Sequence, residues 1–342
     1  MAENNQGDDT DRRTFLKEVA AYGGALAPGN YASKLQAAEP TDWKKLIGIQ
    51  LTVVQDEMTK DVESTLAKLA EIGYKVVNPV RFGGIDAKTY RGMLDRHGLI
   101  APQIDLGFST GADMEKDLEA CQILGAKFAE PAMGGGGGGG RAAGGGAAGG
   151  RGPGGAGGAG GVGRGPGGTG GRTEEMAKRT AADYNTYGQA GKKFGMKVIN
   201  HPHVEQFELL AGSQSTFFDV FLKETDPELV TVEFDLGYTA IAGRKIPDTI
   251  RQYPGRFPTW DIRDAFGIRN ADAVPAATPT ERRLHTYYVP VGLGEVDFKT
   301  AFASAETAGL KYFFVTQENS TTWGDSMAVA RISYQNLTKI LA

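Results

Sequence analysis

Along residues 45–341 the apolar positions switch repeatedly between two patterns. Short runs rich in β-branched and aromatic residues alternate with longer segments whose apolar residues recur three and four apart. Segments 46–54, 75–81, 104–108, 127–133, 197–200, 230–234, 257–262 and 311–315 read as eight strands. Segments 61–72, 88–97, 114–124, 174–194, 217–223, 246–253, 296–308 and 326–341 read as eight helices. In the first helix Val62, Leu66, Leu69 and Ile72 form one stripe that Gly73 closes. His97-Gly98 reads as a cation in a last helical turn ahead of a glycine stop, and Asp297 reads as an N-cap. Residues 265–287, rich in Ala, Pro and Thr, read as irregular.

Strands and helices that alternate eight times over predict an α/β fold, the (β/α)8 TIM barrel. An open doubly wound sheet is the alternative, but no Gly-rich dinucleotide fingerprint follows the first strand, so no nucleotide cofactor is expected. Two stretches stand outside the alternation. Residues 1–42 carry Asp11-Arg12-Arg13-Thr14-Phe15-Leu16-Lys17, which resembles a twin-arginine export signal, with an Ala-rich region near Ala37-Ala38. Export to the periplasm is the expectation there, and a cytoplasmic disordered tail the alternative. Residues 134–172 form a Gly-rich insertion after the fourth strand that holds half of the chain's 50 glycines and no acid or aromatic. That is the composition of a disordered linker, and no Gly-Lys-Ser/Thr follows to make it a phosphate loop. With both removed, about 260 residues remain for one barrel domain, near the roughly 250 typical of the fold.

Net charge narrows the partners. At -4 the chain has no general attraction to nucleic acid, and Arg141, Arg151 and Arg164 in the glycine tract lack the interleaved aromatics that would stack bases. The lone Cys121, at helical spacing among Leu118 and Leu124, reads as a small core residue. No apolar run reaches the roughly 18 residues of a membrane span. A small-molecule ligand is the expectation that remains, and the oligomeric state is not legible.

In a barrel the chemistry sits at the C-terminal ends of the strands. The fourth ends in Glu130-Pro131, the fifth in Asn200-His201-Pro202-His203, and the sixth in Glu233-Phe234-Asp235. The seventh ends in Trp260-Asp261-Ile262-Arg263-Asp264 and the eighth in Thr316-Gln317-Glu318-Asn319. The first three tips carry few ionisable groups, Arg81 and Asp105 being the exceptions. His201, Asp235, Asp261 and Glu318 are the ligand types for a divalent metal such as Mn, Mg or Zn.

Gly48-Ile-Gln-Leu, Leu66–Tyr74, Thr225-Asp-Pro-Glu-Leu-Val-Thr231, Tyr253-Pro-Gly-Arg-Phe-Pro258 and residues 289–298 resemble the sugar phosphate isomerase/epimerase group of xylose isomerase-like TIM barrels. The resemblance covers almost all of residues 45–342 outside the glycine tract. It implies a sugar substrate, a divalent metal, and a proton moved next to a carbonyl through an enediolate. Asp235 matches the group's metal aspartate, and His201 and His203 fit its fifth-strand His-Asn-His with Pro202 in place of Asn. Asp261 stands at an expected histidine ligand and Thr316 at an expected glutamate, so a shifted or lost metal site is an equal alternative. Asp235, His201 and Asp261 are the expected metal ligands. His203, Glu130 or Glu318 is expected to move the proton, while Arg263, Gln317, Asn200 and Trp260 line the substrate. An exported carbohydrate-binding barrel without catalysis, and a glycoside lyase or hydrolase, are the rival readings.

Overall fold

The computed structural model describes residues 41–79, 84–132, 172–274, 277–318 and 320–342. Arg81, the leader up to residue 40 and the glycine tract from 133 to 171 lie outside the described residues. Eight parallel strands form one curled sheet: β1 (Ile47–Gln50), β2 (Val76–Asn78), β3 (Gln103–Ser109), β4 (Phe128–Ala132), β5 (Lys197–Asn200), β6 (Val230–Asp235), β7 (Thr259–Ile262) and, after the short strands β8 (Asp264–Phe266) and β9 (Tyr287–Val289), β10 (Tyr312–Val315). Their order in the sheet is β2-β1-β10-β7-β6-β5-β4-β3. The two end strands meet through a parallel bridge between Val76 and Ile100. Val77 donates to the Ile100 carbonyl at 2.9 Å and Asp105 to the Pro79 carbonyl at 3.2 Å, so the seam of the barrel is held by a few bonds and not by a full ladder.

The strands are buried on both faces, as parallel strands covered by helices must be. One face of each strand turns to the helix layer, where Phe313 packs edge to face with Trp43 and Phe302, and Phe302 in turn meets Trp260. The other face fills the barrel. Close approach inside it requires glycine at position 48, where a Cβ would stand 2.5 Å from the Phe313 carbonyl oxygen. Helix boundaries follow local chemistry: Asp61, Asp86, Thr173 and Asp325 each accept a backbone N–H of the first turn they cap.

Two segments depart from the sequence pattern. Residues 51–60 were expected to begin as strand, but only Ile47–Gln50 is extended; Leu51–Val54 is a 3-10 turn and Gln55–Lys60 a helix. The described residues within 265–287 form regular elements, against the expectation of an irregular stretch. β8 and β9 pair antiparallel, Phe266 against Tyr287, and with the helices Ile268–Asp272 and Pro279–Arg283 they make a flap between β7 and β10. The carboxylate of Asp264 accepts from the backbone N–H groups of Gly292 (2.8 Å), Gly294 (2.9 Å) and Val296 (3.2 Å), pinning the flap's return to its start. Among the described residues no helix is long and apolar enough to cross a membrane.

A second anchor lies behind β6. Thr216 caps the helix Phe217–Glu224, while Asp219 receives Arg244 at 2.6 and 3.0 Å and the Tyr253 hydroxyl at 2.9 Å. Burial alone would raise the Asp219 pKa, but Arg244 and Thr216 outweigh it and hold it below the usual carboxylate range. Asp219→Asn is expected to cost about 1 kcal/mol at neutral pH, a modest figure because the pair is partly exposed. A depressed carboxylate stabilises fully above its unfolded pKa of about 3.9 and stops doing so as pH falls through the folded value. The gap between wild type and variant in urea denaturation should therefore be full at neutral pH and close in acid.

Candidate active site

Period-two alternation puts Glu233 and Asp235 of β6 on one face, and Asp261 of β7 with Arg263 beyond it on the matching face of the next strand. His201, one residue past β5, closes the group from the other side. Its Nε2 lies 3.2 Å from Asp261 Oδ2 and 3.5 Å from Asp235 Oδ2, and its Nδ1 lies 3.7 Å from Glu233 Oε2. Asp235 is engaged on both oxygens. Oδ1 accepts the Tyr238 N–H at 2.7 Å as a helix cap, and Oδ2 accepts Arg263 Nε at 2.7 Å.

Arg263 is buried and reaches several groups at once. Its guanidinium lies 4.2 Å from the Tyr238 ring centroid and 5.1 Å from that of Tyr288, and Nη1 faces Glu318 at 3.6 Å. Gly237 leaves it room: a Cβ there would come within 2.8 Å of the Arg263 Cβ. Glu318 also accepts the Tyr238 hydroxyl and faces Arg283 of the flap at 3.5 Å, while Arg283 bonds Glu205 at 2.9 Å. The flap therefore lends Arg283 and Tyr288 to the barrel mouth.

Burial and like charge set the protonation states. Burial pushes the Asp261 carboxyl up to about 7 against the pull of His201. Burial, with Asp105 and Asp261 nearby, pushes Glu233 well above the carboxylate range. For Asp235 burial is outweighed by Arg263 and His201, and the group is held low. His201 is raised to about 9, because Asp261 and Asp235 overcome a burial cost that by itself would lower it. His203 goes the other way, to about 4, through burial and the cations His201 and Arg263.

Of the residues singled out in the sequence, His201, Asp235, Asp261 and Arg263 converge directly. His203 adjoins them, its ring 5.3 Å from those of His201 and Tyr238. Glu318 joins through Arg263 and Tyr238. Glu130 is half-buried and its charge bears on His201. Gln317 is buried, and its two amide atoms have no hydrogen-bond partner among the described residues. Trp260 and Asn200 are elsewhere. Trp260 is fully buried, 5.4 Å from Phe302 in the helix layer, and Asn200 donates to the Tyr184 hydroxyl at 3.2 Å. Both belong to the opposite strand face from the site residues beside them, which corrects the expectation that they line a substrate. Glu233, Gln103, Tyr238, Tyr288 and Arg283 were not singled out. Counting back two from Asp235 would have found Glu233; the tyrosines and Arg283 come from helix and flap positions with no local signal.

His201, Glu233 and Asp261 offer ligand atoms within 4.8 Å of one another. Glu233 Oε2 and both Asp261 oxygens have no hydrogen-bond partner among the described residues. Two buried carboxyls with unpartnered oxygens beside an imidazole fit a divalent cation, which would relieve their mutual repulsion.

Eight parallel strands closed around such a mouth define the fold: this is a (β/α)8 TIM barrel, and solved xylose isomerase-like structures share it. A sugar phosphate isomerase/epimerase from Parabacteroides distasonis superposes with a TM-score of 0.61 at 18% identity, over 91% of this chain and 98% of that one. A zinc-binding IolI protein superposes with a TM-score of 0.53 at 10% identity, over 86% of this chain and 98% of that one. In sequence, the inosose dehydratase of Clostridium tetani is 31% identical over 137 residues, 38% of this chain. The match spans 43% of that protein's length, less than half of it. No family model matches the chain.

Removing Arg263 takes from buried Asp235 its one direct side-chain hydrogen-bond partner among the described residues and leaves His201, 3.5 Å away, as the nearest cation. Arg263→Met is expected to destabilise the protein by about 3–5 kcal/mol in urea denaturation, and adding Asp235→Leu to recover a good part of that loss.

Proposed function

We propose that the protein is a carbohydrate isomerase or epimerase that moves a proton next to the carbonyl of a small sugar. The observation that carries this reading is the convergence of His201, Glu233, Asp235, Asp261 and Arg263 at one end of the barrel, with His203 adjoining. The curated and structural relatives, described as an inosose dehydratase and a sugar phosphate isomerase/epimerase, support the same class of chemistry.

His203 is the proton acceptor in this reading. It stands beside the charged groups, and among the described residues neither ring nitrogen is committed to a hydrogen bond. Glu318 is less suited, because Tyr238 occupies it and Arg263 and Arg283 face it. Arg263 Nη1 and the Gln317 amide, both without hydrogen-bond partners among the described residues, orient the sugar's hydroxyl and carbonyl oxygens. Tyr238 and Tyr288 give the mouth apolar walls that limit water around the reacting carbon. A divalent cation would be held by His201, Glu233 and Asp261, with Asp235 kept for Arg263. When bound it would polarise a carbonyl oxygen and so acidify the neighbouring C–H. Export of the folded protein by the arginine-pair leader completes the proposal.

The inosose dehydratase match favours a second reading, loss of water after the same proton transfer. Solvent-deuterium incorporation separates the two. Neutral keto-sugars and keto-inositols incubated in D2O, with and without Mn²⁺, should gain deuterium at the carbon beside the carbonyl. Loss of one water in the mass spectrum would select the dehydratase. No exchange into any of them, with or without metal, would sink both readings. His203→Asn should slow exchange by about 100-fold or more while leaving the melting temperature near that of wild type.

A further inference from the structure

We propose that Gln103, on the far side of the barrel from the metal-type residues, is the positioning residue that presents Glu233 to a divalent cation. The inference rests on the metal reading above and adds to it a part that neither the sequence nor the relatives assign.

Gln103 and Glu233 come from β3 and β6, and both side chains are fully buried. The Gln103 amide nitrogen donates to Glu233 Oε1 and, at 2.9 Å, to Asp105 Oδ1. Both amide hydrogens are thereby used. As placed, the amide's carbonyl oxygen has no hydrogen-bond partner among the described residues, and turning it would set that oxygen against Asp105 Oδ1. Asp105 is fixed in its turn. Its Oδ2 accepts Gln50 Nε2 at 2.6 Å, and Gln50 Oε1 accepts the hydroxyls of Thr52 (2.6 Å) and Thr316 (2.8 Å). The donors run one way, from two threonines through Gln50 to Asp105, and from Gln103 to both acids. Each of these bonds has its donor on one side chain and its acceptor on the next.

The consequence falls on Glu233. With Oε1 held by Gln103, Oε2 is the free oxygen, and it is the one that lies 3.7 Å from His201 Nδ1 and has no hydrogen-bond partner among the described residues. A glutamate has three side-chain torsions, and without this hold it would pay rotamer entropy on meeting a cation. Groups one step behind a metal ligand orient it in this way, and their loss typically weakens binding by about 10–100-fold.

The test is Co²⁺ binding to the full chain, read by titration calorimetry and by the visible ligand-field spectrum. Wild type should bind Co²⁺ with a spectrum typical of one imidazole and two carboxylates, and Glu233→Gln should lose it. Gln103→Leu should bind about 10–100-fold more weakly with a shifted spectrum, because Glu233 is no longer held. If Gln103→Leu fails to fold, Gln103→Met, closer in length and flexibility, carries the same test. A merely structural glutamine would lower the melting temperature and leave the affinity and spectrum of the folded protein unchanged, and that result would overturn the proposal. Wild type that binds neither Co²⁺ nor Mn²⁺ would instead overturn the metal reading beneath it.

Discussion

The Arg263–Asp235 pair is the constraint around which the mouth of this barrel is arranged. A guanidinium buried among carboxyls must be neutralised and fully oriented, and Asp235 does both at 2.7 Å. The pairing fixes what its neighbours do. Asp235 is withdrawn from other duties, Gly237 is required beside the arginine, and Tyr238 and Tyr288 become the walls of its slot. His201 and Asp261 are left to face each other and Glu233. The site thus has two layers, an organic cation toward the flap and a set of free carboxyl oxygens beneath it.

The fold was largely legible in the chain. Alternating periods placed all eight barrel strands and eight helical segments close to where they fall, because a parallel barrel imposes one pattern eight times. The site was legible in part. The sequence points to His201, Asp235 and Asp261 because strand tips are where a barrel exposes polar groups, and these three side chains converge. Trp260 and Asn200 are adjacent in sequence to site residues but not in space, because neighbours on a strand point to opposite faces. Strict period-two counting retains Asp261 and Arg263, rejects Trp260, and adds Glu233.

What could not be read was whatever depends on contacts between distant segments. Residues 265–287 look irregular in composition, yet Asp264 just before them gathers the backbone of Gly292, Gly294 and Val296 just after and makes a flap of what lies between. Arg283 and Tyr288 reach the mouth only because that flap folds back. The chain from Thr316 through Gln50 and Asp105 to Gln103 draws on three strands, and no local window contains two of these joints except Gln103 and Asp105.

The seam of the barrel gives that chain a further meaning. Asp105 belongs to both: its N–H bonds the Pro79 carbonyl across the seam, and its carboxylate anchors Gln103. A seam held by few bonds is where a closed sheet opens first in native-state fluctuations, well below the free energy of global unfolding. Such an opening would part Asp105 from Gln50 on the other side of the seam, while Gln103 and Asp105, both on β3, would move together. A ligand that bridged the strands on the two sides of the seam would therefore favour the closed cylinder.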